Sequence, residues 1–176
     1  MGDSHRGLGL VACHREEYEQ VRDHLEEALS THETIDNRLG VGVTRLALAR
    51  LALRRGEPDR AGEQAKLARD SFEELGATHR LGRCHETTGS AAARRDDPAA
   101  ARDYWEQARE RFETVTATHD ELRTLERLVE SYRGQDDDRA RHWCRRAQAV
   151  VADAPDAVVA NYGTWVDPTA AALDLS

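Results

Sequence analysis

The chain has 176 residues, 39% hydrophobic and 33% charged, with 25 basic against 33 acidic side chains and a net charge of −8. That length suits one domain or a short repeat array, and the acidic balance argues against nonspecific nucleic-acid binding, which needs clustered Lys and Arg to neutralise phosphates. Aromatics are only 5%, so the core is expected to be built from Ala and Leu, which favours closely packed helices over a sheet.

Taken in chain order, the sequence echoes itself about every forty residues. A first unit, residues 1–37, has a helical segment around Gly9 and a second, "HREEYEQVRDHLEEALSTHE" (14–33), carrying Val21, Leu25 and Ala28. A second unit, 38–77, has a segment around Ala49 and then "RRGEPDRAGEQAKLARDSFE" (54–73), with Ala61, Ala65, Ala68 and Phe72. The third, 78–117, has Gly89 and then "RRDDPAAARDYWEQARERFE" (94–113), with Ala101, Trp105, Ala108 and Phe112. The fourth, 118–153, ends in "GQDDDRARHWCRRAQAVV" (134–151), with Ala140, Cys144 and Ala147. In each second segment these residues sit at i, i+4 and i+7, a single helical stripe. Pro58 and Pro98 mark helix openings, Asp97 is placed to cap free amides, and Gly76 suits a left-handed C-terminal cap. Thr118 to Glu121 reads as a capping box, with Thr78 in the same slot one unit earlier. After Pro155 a cap segment, 154–167, is expected to lay Tyr162 and Trp165 over the last unit, and 168–176 is expected to be a flexible tail.

"ATHRLGRCHE" (77–86) gathers His79, Cys84 and His85, which invites a metal reading. The repeat supplies a simpler one: His79 and His119 share one slot, while Cys84 and His85 fall where other units have Thr and Arg or Leu. A structural zinc site also asks for four ligands at short spacings, so no metal is expected. Phosphate-loop, dinucleotide, nucleophile-elbow and zinc-protease motifs are absent, so neither enzyme activity nor a cofactor is expected. Cys13, Cys84 and Cys144 are odd in number and far apart, and no apolar run suggests a signal peptide or membrane span. A cytoplasmic location with reduced thiols follows as the expectation. Lys66 is the only lysine among many arginines, as in proteins from GC-rich prokaryotic genomes.

Two helices per unit, small residues where helices meet and a period near forty together resemble the tetratricopeptide repeat. Its Leu slot holds Leu8, Leu48, Thr88 and Leu128. Its Gly slot holds Gly9, Ala49, Gly89 and Val129. Its second-helix Ala slot holds Val21, Ala61, Ala101 and Ala140. The sequence departs from the pattern at the Trp slot (Arg45, His85, Leu125) and at the closing Pro slot (Glu33, Glu73, Glu113). Its long period is similar to that of repeats in prokaryotic regulators and signalling ATPases. Armadillo and HEAT arrays share that period, but their extra helix or mid-helix proline is not evident. The resemblance implies an all-α fold, an α-solenoid of antiparallel helix pairs wound as a right-handed superhelix, with about four repeats and a short C-terminal capping helix.

The resemblance also implies a scaffold that docks a protein or peptide on a concave wall formed by the first helices. The expected partner-binding residues are Arg6, Arg50, Arg54, Arg83, Glu86, Arg94, Arg123, Arg127 and Glu130, with an acidic segment as the partner because guanidinium forks suit carboxylates. Asn37 and Asn161 are the only asparagines, which disfavours the asparagine-based clamp for chaperone tails. Direct contact with nucleic acid or membrane is not expected. Two other readings stand beside the scaffold: a sensor or oligomerisation segment of a larger transcriptional regulator or signalling ATPase, and self-association through the N-terminal unit at Leu8 and Leu10.

Overall fold

The structure is a computed structural model that describes the backbone of residues 2–174 and the side chains of 17–174 except 156, 157 and 159. Among the described residues all regular structure is helical: α1 (Gly2–Thr34), α2 (Arg38–Arg55), α3 (Pro58–Glu74), α4 (Thr78–Ala93), α5 (Pro98–Thr114), α6 (Thr118–Tyr132), α7 (Asp137–Ala152) and α8 (Asp156–Ala172). Each helix packs on its sequence neighbours, and α2 also touches α4. The result is an α-solenoid of antiparallel helix pairs. Its first helices form one row (α2, α4, α6, with α8 continuing it), and its second helices form the other (α1, α3, α5, α7).

Short turns make the reversals, and most hold one residue in the left-handed region: Asp36, Gly56, Gly76, Asp96, Thr116 and Gly134. Gly76 therefore plays its expected role at φ 60°. Pro58 and Pro98 open α3 and α5, and the Asp97 carboxylate accepts the Ala100 amide at 3.1 Å. Asn37 and Asp136 cap α2 and α7 in the same way, through the amides of Gly40 and Arg139. The expected capping box at Thr118 does not form. Ala117 is the N-cap residue of α6, as Ala77 is of α4, and neither helix start has a side-chain cap. Thr118 lies one position too late, and Glu121 is drawn instead to Arg146.

The second-helix stripe becomes the core. Ala61, Ala65, Ala68, Phe72, Ala101, Ala108, Phe112, Ala140, Cys144 and Ala147 are all buried, as is Trp105. Small residues of the facing helices admit the aromatics. A Cβ on Gly42 would lie 2.7 Å from the Phe72 ring, and one on Gly82 would lie 2.7 Å from Phe112. Gly89 makes the same room for Trp105, whose Cδ1 would be 2.6 Å away. Helices meet this closely because their contact positions lack bulk.

Both ends depart from the repeat reading. Residues 1–37 are expected to form a helix pair, yet α1 runs unbroken from Gly2 to Thr34. Where later units have Gly56 and Pro58, or Asp97 and Pro98, this stretch reads Glu16, Glu17 and Tyr18, which contain nothing to stop a helix. With one helix on the outer side of α2, Val21 stays 47% exposed. At the other end, 168–174 is not a flexible tail. Helix α8 carries Pro168 inside it and continues to Ala172. An internal proline costs about 3 kcal/mol, but Thr169, Ala170 and Leu173 beyond it are buried, and Arg141 Nε donates to the Leu173 carbonyl at 3.0 Å. Tyr162 and Val166 pack with Leu122, Leu125 and Ala147, while the Tyr162 hydroxyl donates to the His119 carbonyl at 3.1 Å.

Candidate docking face

On α4, Arg83, Glu86 and Ser90 follow one another at i, i+3 and i+7. On α6, Asp120, Arg123 and Arg127 do the same, so each helix presents one polar stripe. The two stripes face each other across neighbouring first helices. Arg123 grips Glu86 with both prongs of its guanidinium, at 2.8 and 2.9 Å, and reaches Asp120 at 2.6 Å. Arg83 also donates to Asp120 at 2.6 Å, and His79 Nε2 lies 2.7 Å from the same carboxylate. Arg127 donates to Ser90 Oγ at 2.9 Å and stands 3.6 Å from Glu86.

Glu86 is buried, hydrogen-bonded by Arg123 and also within ion-pair distance of Arg83 and Arg127. Burial pushes the Asp120 carboxyl up, but the hydrogen bond from His79 and the charges of Arg83 and Arg123 outweigh it and hold Asp120 below the usual carboxylate range. The Arg123 guanidinium is correspondingly raised: burial works against its charge, and Glu86 and Asp120 overcome that. Three arginines against two carboxylates leave the cluster net positive, on a chain that is acidic as a whole.

The other residues expected at the site are scattered. Arg50 and Arg54 are exposed on α2. Arg94 is spent on the fold, donating to the Leu53 carbonyl of α2. Glu130 is exposed and pairs with Arg133 at 3.2 Å. Arg6, like Leu8 and Leu10, lies outside the residues whose side chains are described. Thus Arg83, Glu86, Arg123 and Arg127 come together, and Arg50, Arg54, Arg94 and Glu130 do not join them. The sequence reading missed Asp120, His79 and Ser90, which complete the cluster. Their signal was the shared stripe on α6 and the forty-residue offset between His79 and His119.

Beside this cluster, a cleft of about 600 Å³ opens between the end of α4, the start of α5 and the last turns of α6. Ala93, Asp96, Pro98, Trp105, Arg127 and Glu130 are among its walls. Trp105 is core, as expected, and also lines this opening.

The three residues of "ATHRLGRCHE" occupy different surroundings. His79 meets Asp120 and the Phe112 ring. Cys84 is buried, and burial pushes its thiol up to about 12. His85 lies against Tyr104, with ring centroids 6.2 Å apart, and burial together with the charges of Arg111 and Arg69 pushes it down to about 4. Among the described residues, no group of three or more His, Cys, Asp or Glu is arranged to hold a metal ion. No described helix is long and apolar enough to cross a membrane.

Residues 1–74 match a family model described as tetratricopeptide repeat. Among solved structures, the crystal structure of BtubC (BKLC) from P. vanneervenii aligns with a TM-score of 0.73 at 19% identity, covering 92% of this chain and 69% of that one. At that identity the likeness is one of fold. No curated protein matches the chain.

Proposed function

We propose that this chain, which carries tetratricopeptide repeats over the matched residues 1–74, is a non-catalytic scaffold that docks a protein partner on its row of first helices. Repeats of this family generally mediate protein–protein contact, and a solenoid presents an extended surface for it. The observation that carries the reading is the position of Arg127. It is 38% exposed, belongs to the net-positive cluster, and also lines the 600 Å³ cleft. An acidic segment laid along α6 would meet that guanidinium and enter the cleft beside Trp105.

The test must spare the fold. Reversing Arg83, Arg123 and Arg127 together would surround buried Glu86 with like charge. Removing one partner of a buried pair already costs roughly 3–5 kcal/mol. The suitable variant is Arg50→Glu with Arg54→Glu and Arg127→Gln, all at more exposed positions, and the glutamine sets no second carboxylate beside Glu86. Tagged wild type and variant are used to capture partners from lysate of the source cells, with circular dichroism as the folding control. A partner held by wild type and lost by the folded variant is expected. A partner held equally by both would remove this face from the reading.

A further inference from the structure

A separate cleft of about 580 Å³ opens between α3, α4 and α5. Its walls include Gly62, Lys66, Arg69, His85, Arg95 and Tyr104, together with Thr88 and one acid, Glu63. The internal repeat shows how unusual this junction is. At the Gly62 slot the neighbouring units have Arg22 and Arg102. At the Lys66 slot they have Glu26 and Glu106. At His85 they have Arg45 and Leu125, and at Thr88 they have Leu48 and Leu128. The His85 slot holds a different residue in each neighbouring unit, so three lining positions depart from the repeat together. Two of the departures remove bulk and one reverses a charge.

The consequences are physical. In the next unit, Arg102 lies over the Tyr132 ring, 4.1 Å from its centroid, and fills the corresponding space. Gly62 leaves it empty, and a Cβ there would meet only ordinary contacts, 3.6 Å from Arg95 and 3.9 Å from Ala91. Lys66, the only lysine of the chain, has no ion pair among the described residues, and it sits on an exposed part of α3. Among the described residues, the Arg95 guanidinium is held by Asp59 at 3.3 Å, a carboxylate that is itself 90% exposed. Arg69 contacts Asp70 at 3.1 Å and Glu73 at 3.3 Å, both exposed, and its Nε is buried without a hydrogen bond. Three cations from α3 and the α4–α5 turn therefore surround a space floored by the His85 and Tyr104 rings.

We propose that this cleft is a binding site for a small organic phosphate, with the anion on Lys66, Arg69 and Arg95 and its apolar body against His85 and Tyr104. A phosphate group accepts from several donors at once, which suits one compact ammonium and two guanidinium forks better than a single carboxylate would. The aromatic floor selects a ligand with an apolar body over the bare anion. The site shares no lining residue with the cleft beside Arg127, so it stands independently of the docking face.

The test is calorimetric titration of the full chain with phenyl phosphate at fixed ionic strength, with inorganic phosphate alongside. Wild type is expected to bind phenyl phosphate with a Kd below about 1 mM. Lys66→Glu, which installs the residue of the neighbouring units, is expected to weaken binding at least about tenfold. Gly62→Arg is expected to abolish binding by filling the space, and the far-ultraviolet circular dichroism of both variants should be unchanged. Inorganic phosphate should bind more weakly than phenyl phosphate. Absence of saturable binding to wild type, equal affinity in Lys66→Glu, or equal affinity for both probes would overturn the proposal.

Discussion

Thr116 is a β-branched residue held at φ 53° in the turn before α6. The same slot holds Asp36 at φ 51° and Gly76 at φ 60°, and of the three only threonine has a branched Cβ to crowd that conformation. A left-handed L-residue costs roughly 1–2 kcal/mol, and glycine gives part of that back through its freer unfolded chain. Thr116→Gly is therefore expected to raise stability by about 0.5–1 kcal/mol, read as a higher urea midpoint; an unchanged or lower midpoint would show that the turn is not strained. His85 supplies a pH dependence. In the folded chain it stays neutral down to about 4, whereas an unfolded histidine protonates near 6.5. Between those values the unfolded state binds a proton that the folded state does not, so stability falls on acidification from 6.5 towards 4. The slope from this one group is at most about 1.4 kcal/mol per pH unit. Glu121, raised chiefly by burial, works in the opposite sense, but it is common to wild type and His85→Leu. Denaturation curves from pH 7 to 4.5 should be flatter for His85→Leu; parallel profiles would remove His85 as the cause.

Among the elements, α1 and α8 show that the ends of an array obey different needs from its middle. Interior helices are covered on both sides by neighbours, so the alanine stripe of α3, α5 and α7 is fully buried. Helix α1 packs chiefly on α2 and touches α3 through the Glu26–Arg60 ion pair, and its Leu25 and Ala28 are only half-buried. Helix α8 acts as the lid of the last unit, taking Leu122, Leu125 and Ala147 out of water. A chain ending at Ala154 is expected to melt at least about 10 °C lower, because several large side chains on both sides of that contact lose their cover. Thermal scans followed by circular dichroism check this, and an unchanged melting temperature would mean that α8 is not docked in solution.

Across the whole molecule, neighbouring units are tied by the stacking of apolar stripes and, between the third and fourth, by the Arg123–Glu86 fork. That fork explains why only part of the proposed docking face was readable beforehand. Arg83, Glu86, Arg123 and Arg127 could be chosen from sequence because first helices were expected to line one wall. Which of them would pair, and which would stay open to a partner, depends on how closely successive first helices approach. Arginines one repeat slot apart, such as Arg54 and Arg94, end up exposed without joining the cluster or reaching back to the α2 backbone, respectively.

Sequence by itself determined the helix pairs from α2 to α7, their forty-residue period and their buried stripe. Those features rest on local periodicity, turn residues and small side chains, which repeat wherever the unit repeats. Tertiary structure alone decided the rest. It carried α8 through Pro168, because burial beyond the proline outweighs the lost hydrogen bond. It also gathered Gly62, Lys66, His85 and Tyr104 from three helices into one cleft. Such outcomes turn on contacts between residues far apart in the chain, and packing, not local preference, selects among them.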